Sequence, residues 1–378
     1  MSSNGIIVVG GGLVGAAIAY GAAKSGSAVT LLDQGDVAYR ASRGNFGLVW
    51  LQSKGAGFPR YARWSRDAVD HWGPLASELR ELTGVDVDLQ QNGGFWIGFS
   101  EKEVAEREAM LAKINAADGR TPFEMLDHRE LKARLPAIGP KVAGGSWCPL
   151  DGHANPLKLL HALHAGIQAL GGRICNGADV AEVCPLGEGR GFRARGSDGR
   201  QWIGEKIVLA AGLSNSVLAP QLGLHAPVVP NRGQVLITER LKKFLPHPTN
   251  KARQTAEGTV QLGFSVEDVG LDDGTTVAAI EWIAKRAVAT FPILSSVKLV
   301  RAWGALRVMT PDGSPIYQES ARYPGAFTAT SHSGVSLAGS HAYEIGPWIA
   351  GVKSAPEGIE EFAGERFLDP DRKFSNAH

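Results

Sequence analysis

A chain of 378 residues is longer than one domain usually runs, so two domains or one elaborated α/β domain with a large core are expected. Its 39 basic and 38 acidic side chains leave a formal charge of +1, which removes any whole-molecule reason to expect nucleic acid or an anionic membrane as a partner. Its 48 glycines exclude a simple helical bundle and suit a fold with many tight turns and backbone that approaches a ligand.

Ile6-Ile7-Val8-Val9 is a β-branched run that predicts a short buried strand. Gly10, Gly12 and Gly15 follow in G-x-G-x-x-G register and open a helix over Leu13 to Lys24, closed by Gly26. In that register the first glycine permits the turn, the second lets a pyrophosphate approach the backbone, and the third lets helix and strand pack closely. Free N–H groups and the macrodipole at the helix start favour the anion. A second strand, Ala28 to Leu32, ends at Asp33 and Gln34, and the acid stands where a ribose hydroxyl needs an acceptor. Together these predict a dinucleotide-binding βαβ unit. No basic leader precedes it, and no apolar run reaches the roughly 18 residues that a membrane span requires.

Arg40-Ala41-Ser42-Arg43-Gly44-Asn45-Phe46-Gly47 is a polar, glycine-punctuated turn. It suits a second phosphate or ring contact, or equally a surface loop. Phe58 to Leu82 is expected to be helical, with Trp64, Ala68, Trp72 and Leu75 on one buried stripe. Val85 to Leu89 and Gly94 to Phe99 read as strands, and Glu101 to Ala117 as a helix with a solvated charged face. Asp127 with Glu130 makes a capping box for a short helix that stops before Pro136.

Asn155 and Pro156 start a further helix that Gly171-Gly172 stops. Its His161 and His164 lack the carboxylate or cysteine partners of a metal site, so they read as structural and no metal is expected. His153, in the preceding turn, faces either a ligand or backbone. Arg173 to Cys175 and Asp179 to Val183 resume the strand pattern, and a ribbon follows over Gly191 to Ile203. Cys148, Cys175 and Cys184 form no C-x-x-C pair and leave one unpaired in any disulfide scheme, which points to a reducing, cytoplasmic setting.

Ile207 to Gly212 is an apolar strand ending on Ala210-Ala211-Gly212, with Ser214 expected to cap a helix. Such an end lets a second piece of backbone lie against the same dinucleotide. Simple NAD-binding units need no late return of this kind, so FAD is expected. Gln234 to Thr238 and Thr259 to Phe264 read as strands, and Thr275 to Phe291 as a helix capped by Asp273 or Thr275. Glu267, Asp268, Asp272 and Asp273 do not match a calcium loop and read as a solvated turn.

Arg307 closes the apolar strand that starts at Val300, where a guanidinium is costly without an anion. Its planar fork matches a carboxylate, and a surface or salt-bridged arginine is the alternative. Phe327 to Thr330 is a strand, Ser331-His332-Ser333-Gly334 a turn, and Val335 begins a helix whose N-terminus faces the pyrimidine edge of a flavin.

The Gly10 to Gly15 start, the Ala41 to Asn45 turn, the Ala210-Ala211-Gly212 strand end, Trp303-Gly304-Ala305-Leu306-Arg307, Thr310-Pro311-Asp312-Gly313 and Ser331 to Gly339 together resemble the D-amino-acid oxidase family of FAD-dependent oxidoreductases, which includes glycine and sarcosine oxidases. The pieces occur in order over nearly the whole chain. Ala41 to Trp50 and Cys148-Pro149 with Asp151 to Pro156 are similar to the flavoprotein subunit of heteromeric opine oxidases and D-hydroxyproline dehydrogenases.

The resemblance implies non-covalent FAD and an Arg307 that grips the substrate carboxylate. The family's Gly-Leu-Arg-Pro run reads Ala305-Leu306-Arg307-Val308 here, so the local backbone is expected to differ. The implied reaction is oxidation of the C–N bond of an amino or imino acid (a D-amino acid, D-hydroxyproline or an opine-type secondary amine) with hydride passing to flavin N5. The implied setting is the catalytic subunit of a hetero-oligomer with electron-transfer partner subunits. A stand-alone oxidase releasing hydrogen peroxide and a non-catalytic flavin-binding subunit are the alternatives.

Arg307 and His332 are the candidate catalytic residues. Candidate FAD contacts are Gly10, Gly12, Leu13, Val14, Gly15, Asp33, Gln34, Arg40, Ala41, Ser42, Arg43, Gly44, Asn45, Gly47, Val180, Ala210, Ala211, Gly212, Gly304, Arg307, Ser333, Gly334, Val335 and Ser336. The expected fold is mixed α/β. A Rossmann-like FAD-binding domain takes residues 1–50, 141–226 and 301–378, and a substrate-binding domain on a mixed, largely antiparallel sheet takes 51–140 and 227–300.

Overall fold

The computed structural model describes residues 5–35, 41–187 and 189–369, with the backbone alone for Asp118. The expected contact Arg40 lies outside the described residues. Strand β1 (Gly5–Val9), helix α1 (Leu13–Lys24) and strand β2 (Ala28–Leu32) form the βαβ unit, with β1 and β2 parallel and Val9 beside Leu32. Helix α1 is apolar on nearly every side, and Leu13 and Gly15 to Ala23 are buried. A helix with so little polar surface needs cover all round. The sheet lies on one side, and the helix Pro156–Ala169 and the C-terminal helical segment on the others.

The main sheet orders Ile316–Glu319, Ala326–Thr330, Lys206–Leu209, β1, β2 and Arg173–Cys175, all parallel except the antiparallel edge strand Ile316–Glu319. A second layer is antiparallel. Ala252–Gln254, Thr259–Gly263, Val229–Arg240 and Leu299–Met309 form one sheet in that order, and Gly94–Gly98, Gly144–Cys148 and Glu124–Asp127 form another. Phe95, Ile97, Leu236, Leu262, Ile283 and Phe291 share a core that joins both sheets to the helix Val277–Thr290. The chain is the mixed α/β protein expected. The pairings carry Gly144–Cys148 and Leu299–Met309 into this second layer, although the sequence division groups 141–226 and 301–378 with the first.

Several elements differ from expectation for identifiable reasons. Phe58 to Leu82 forms two helices, Pro59–Asp70 and Trp72–Thr83, because Pro74 has no N–H for the Asp70 carbonyl and its ring clashes there. Val85 to Leu89 is not a strand: Thr83 Oγ1 accepts the Val85 N–H (3.2 Å), Asp86 Oδ1 accepts the Asp88 N–H (2.9 Å), and Asp88 takes φ +54°. Side chains there satisfy the backbone instead of a ladder. Ser214 makes no cap; Asn215 Oδ1 accepts the Ala211 N–H at 2.9 Å. Thr276, not Asp273 or Thr275, caps the helix Val277–Thr290.

The helix expected from Val335 starts at Ala338. The carbonyls of Val335 and Ser336 accept the Trp72 indole N–H at 3.1 and 3.3 Å, which holds them in a turn. Trp72 is fully buried, so Trp72→Phe should keep most of its packing and leave both carbonyls without that donor. We expect a loss of about 1–3 kcal/mol in equilibrium denaturation. An unchanged midpoint would reduce the indole to a filler.

Candidate active site

Three segments meet at one end of the parallel sheet. Gly10, at φ +106°, donates its N–H to Leu32 O (2.8 Å), and Ala210 donates to Val9 O (2.8 Å). A Cβ at Gly10 would lie 2.3 Å from Ala210 O, and one at Gly15 only 1.9 Å from Gly10 O. Both obstacles are backbone, so the approach belongs to glycine. The Asp33 carboxylate accepts N–H groups from Gly11 (2.7 Å) and Gly35 (2.9 Å), and Ser42 Oγ accepts that of Leu13 (2.9 Å). His164, expected to be structural, places its Nε2 2.8 Å from Gly11 O.

Beside this loop opens a cavity of about 690 Å³. Gly334 makes the junction, since a Cβ on it would lie 3.4 Å from Leu13 Cβ and 3.5 Å from Val14 Cγ2. The turn from His332 to Ser336 therefore rests on the start of α1 while lining the cavity. Gly44, Asn45, Phe46 and Leu48 form a second wall, and Phe264, Ala305, Arg307 and Met309 a third. A glycine-only anion loop that runs into a ring-sized cavity is the pair of features a flavin dinucleotide needs, so the residues present fit FAD.

Arg307 is held by neutral groups. Its guanidinium donates to Asn231 Oδ1 (2.8 Å) and the carbonyls of Ser265 (2.9 Å) and Arg232 (3.4 Å), and it lies over the Phe264 ring at 4.8 Å. No carboxylate among the described residues comes within ion-pair distance. Burial pulls its pKa down to about 10, partly countered by Glu267. Glu267 itself is engaged elsewhere: it and Asp272 ion-pair with the buried Arg232 at 2.8 and 2.5 Å, while Asp268 accepts from Asn231 at 2.8 Å. The acidic turn is exposed at Asp268 and Asp272, as expected of a solvated turn, and its side chains also hold Arg232 and Asn231 behind Arg307.

Lys54 enters the cavity from the opposite side. Its ammonium donates to Ser333 Oγ (2.7 Å) and His332 Nε2 (3.3 Å), and burial pulls it down to about 8, partly countered by Asp151. Asp151 is fully buried and accepts from Leu51 N–H (2.6 Å) and Gln52 Nε2 (2.9 Å). Gln52 Oε1 in turn accepts from Arg107 (3.2 Å), which also donates to Ser146 Oγ (3.1 Å).

Burial pushes the Asp151 carboxyl up to about 7, against the lowering effect of the Leu51 and Gln52 hydrogen bonds. A folded-state pKa above the unfolded one gives stability that is present below about pH 4 and lost as pH rises through 7. In Asp151→Asn this dependence should vanish. Whatever constant offset the amide brings, the stability of the wild type relative to the variant should fall between pH 4 and 7, by an amount on the order of 1.4 kcal/mol per tenfold change in proton affinity. A pH-independent difference would show that the carboxyl does not titrate there.

Of the expected contacts, Ala41, Gly44, Asn45, Arg307, His332, Ser333, Val335 and Ser336 line the cavity. Gly10, Gly12, Leu13, Val14, Gly15, Asp33, Ser42, Ala210 and Ala211 build or adjoin the glycine loop, with Gln34 and Gly212 next along the same strand ends. Arg43 and Gly47 lie in the neighbouring turn, where Gly47 takes φ +87° and donates to Asn45 Oδ1. Val180 begins a strand beside Ala178, whose N–H donates to Asp33 O.

Gly304 is not among them. A Cβ there would lie 2.5 Å from Asp273 O, so it faces that turn, as strand alternation from Ala305 and Arg307 requires. His153 is buried, with Nδ1 3.3 Å from an Arg253 nitrogen, and burial pulls it down to about 3. Lys54, Arg107, Lys251 and Arg286 also line the cavity, and sequence reasoning misses all four. The one available signal is Lys54 directly before Gly55-Ala56-Gly57; the others are cations among many.

A family model described as FAD dependent oxidoreductase matches residues 5–350. A subunit of the opine oxidase of Rhizobium meliloti is 41% identical over 364 residues, covering 95% of this chain and 96% of that protein. Among solved structures, glycine oxidase from Bacillus cereus ATCC 14579 is similar with a TM-score of 0.86 at 21% identity, covering 97% of this chain and 100% of the other. L-proline dehydrogenase from P. horikoshii gives 0.84 at 20%, covering 97% and 98%. At these identities the two structures speak for the fold.

Proposed function

The chain belongs to the DAO family of FAD-dependent oxidoreductases, and from that premise we propose that it oxidises the C–N bond of an opine-type secondary amine or a related amino or imino acid as the catalytic subunit of a hetero-oligomer. FAD is its cofactor, and when bound it supplies the two-electron acceptor. We assign the Gly10 to Gly15 loop, Asp33 and Ser42 to hold it non-covalently.

Arg307 carries this reading: a cation in the cavity wall, held by neutral oxygens and with no carboxylate among the described residues at ion-pair distance. It orients the substrate acid so that the amine-bearing carbon faces the turn from His332 to Ser336. Lys54 and His332 bound the cavity at that turn, and the aromatic walls Phe46, Trp50 and Phe264 keep water from the reacting carbon. The Rhizobium meliloti relative is by name one subunit of its oxidase, which supports partner chains. Free thiols at Cys148, Cys175 and Cys184 support a cytoplasmic location, and no described helix is long and apolar enough to cross a membrane.

The test is anaerobic. Purified protein is mixed with D-amino acids, cyclic imino acids, sarcosine and N-carboxyalkyl amino acids, and the flavin absorbance is followed. Bleaching by amines of this class is expected, and none by any of them would sink the proposal. Rapid hydrogen peroxide release by the isolated chain in air would instead favour a stand-alone oxidase.

A further inference from the structure

The same cavity carries a second group of cations that the proposed role of Arg307 leaves unused. Lys251 precedes the edge strand Ala252–Gln254; its backbone is fixed by Thr249 Oγ1 and by the Gly263 N–H. Arg286 stands on the helix Val277–Thr290, its guanidinium over the rings of Phe99 (4.7 Å) and Trp282 (5.1 Å) and its Nε buried without a hydrogen-bond partner. Both line the cavity beside Trp96, Arg107, Glu103 and Glu106.

Among the described residues neither Lys251 nor Arg286 has an ion pair or a side-chain hydrogen bond. Of the nearby acids, Glu103 Oε2 accepts the Phe99 N–H at 2.7 Å, and the exposed Glu106 lies 3.8 Å from Lys102. Burial and the proximity of Arg286 pull the Lys251 ammonium down to about 8, with Glu103 acting the other way. Two like charges turned into one cavity raise each other's free energy unless an anion lies between them.

The sheet sets the spacing. Lys251 and Arg307 stand at opposite edges of the four-stranded sheet. Lys251 lies level with Gly263, Val235 and Trp303, and Arg307 four residues beyond Trp303. Three strand spacings across and four residues along put their Cα atoms on the order of 15–20 Å apart. Two long side chains reaching inward from there leave room for a molecule with an acid at each end.

We infer that Lys251 and Arg286 determine specificity, forming a second acid-binding subsite that holds the other carboxylate of the opine-type amine proposed above. One acid lies on Arg307 and the other on the Lys251–Arg286 pair. This rests on the reading of the cavity as an amine-oxidising site. It selects, within that class, secondary amines whose nitrogen joins two acid-bearing carbons.

The experiment compares an N-carboxyalkyl amino acid with its N-alkyl analogue, in which the second carboxylate is replaced by methyl. The wild type should prefer the diacid by roughly ten- to hundredfold in kcat/KM, mainly through KM. In Lys251→Met/Arg286→Met the ratio should collapse towards one. As an equilibrium readout, a non-reactive thioether dicarboxylate should raise the thermal midpoint of the wild type and not of the double variant. A wild type that turns over both amines equally, or a ratio that survives the double substitution, would overturn the subsite alone. Failure of both amines to reduce the flavin would overturn the underlying reading.

Discussion

Arg307→Leu is expected to lower kcat/KM for a carboxylate-bearing amine by roughly a hundred- to ten-thousandfold. Two charge-assisted hydrogen bonds are worth about 1.5–3 kcal/mol each, and each 1.4 kcal/mol is a factor of ten. The loss should fall on both KM and kcat, because the clamp also aligns the reacting carbon. An amine without the acid should lose far less. Arg307→Lys keeps the charge but not the fork and should recover only part of the rate. Gly233→Ala supplies a check that leaves the arginine intact: the new Cβ would lie 2.2 Å from an Arg307 guanidinium nitrogen, so it displaces the head group. An unchanged KM for carboxylate substrates in Arg307→Leu would rule the clamp out.

Gly15→Val is expected to yield protein with less than roughly a tenth of the wild-type flavin per chain and a lower thermal midpoint. A Cβ at this position meets the Gly10 carbonyl at 1.9 Å and Ala210 Cβ at 3.1 Å. The first obstacle is backbone at the very turn that the cofactor pyrophosphate must approach, so α1 has to move off β1. Overpacking of this kind costs on the order of 1–3 kcal/mol or more. Gly73→Ala is the matched control: nothing lies within 4 Å of its Cβ site, and alanine is the better helix former by roughly 1 kcal/mol. Normal flavin content and stability in Gly15→Val would disconnect the loop from the cofactor.

The parts of this molecule that are written locally can be read from the chain. The βαβ unit follows from strand, glycine register and helix in succession. The Asp127–Glu130 capping box and the Asn155–Pro156 start are both present as expected. Expectation and structure part where a short-range signal has two outcomes. Pro74 lies inside an apolar stripe, and the stripe alone predicts one helix. Val85 to Leu89 has strand composition, but Thr83 and Asp86 answer its N–H groups first. The helix after Ser331 starts late because a tryptophan some 260 positions earlier claims its carbonyls.

Taken alone, the sequence determined the glycine-rich βαβ loop, the choice of FAD and the family, and it singled out Arg307 as the candidate carboxylate clamp. The loop rests on spacing within a few residues, Arg307 on a side chain whose burial is costly wherever it sits, and FAD and the family on short motifs that follow one another in order along nearly the whole chain. Tertiary structure decided what surrounds Arg307 and how the cavity is charged. Lys54 meets Ser333 across 279 positions and Arg307 meets Asn231 across 76, and Lys251 and Arg286 reach one space from an edge strand and a separate helix. No periodicity encodes such meetings, because a lysine or arginine on a polar face reads the same whether the fold turns it to water or to a cavity.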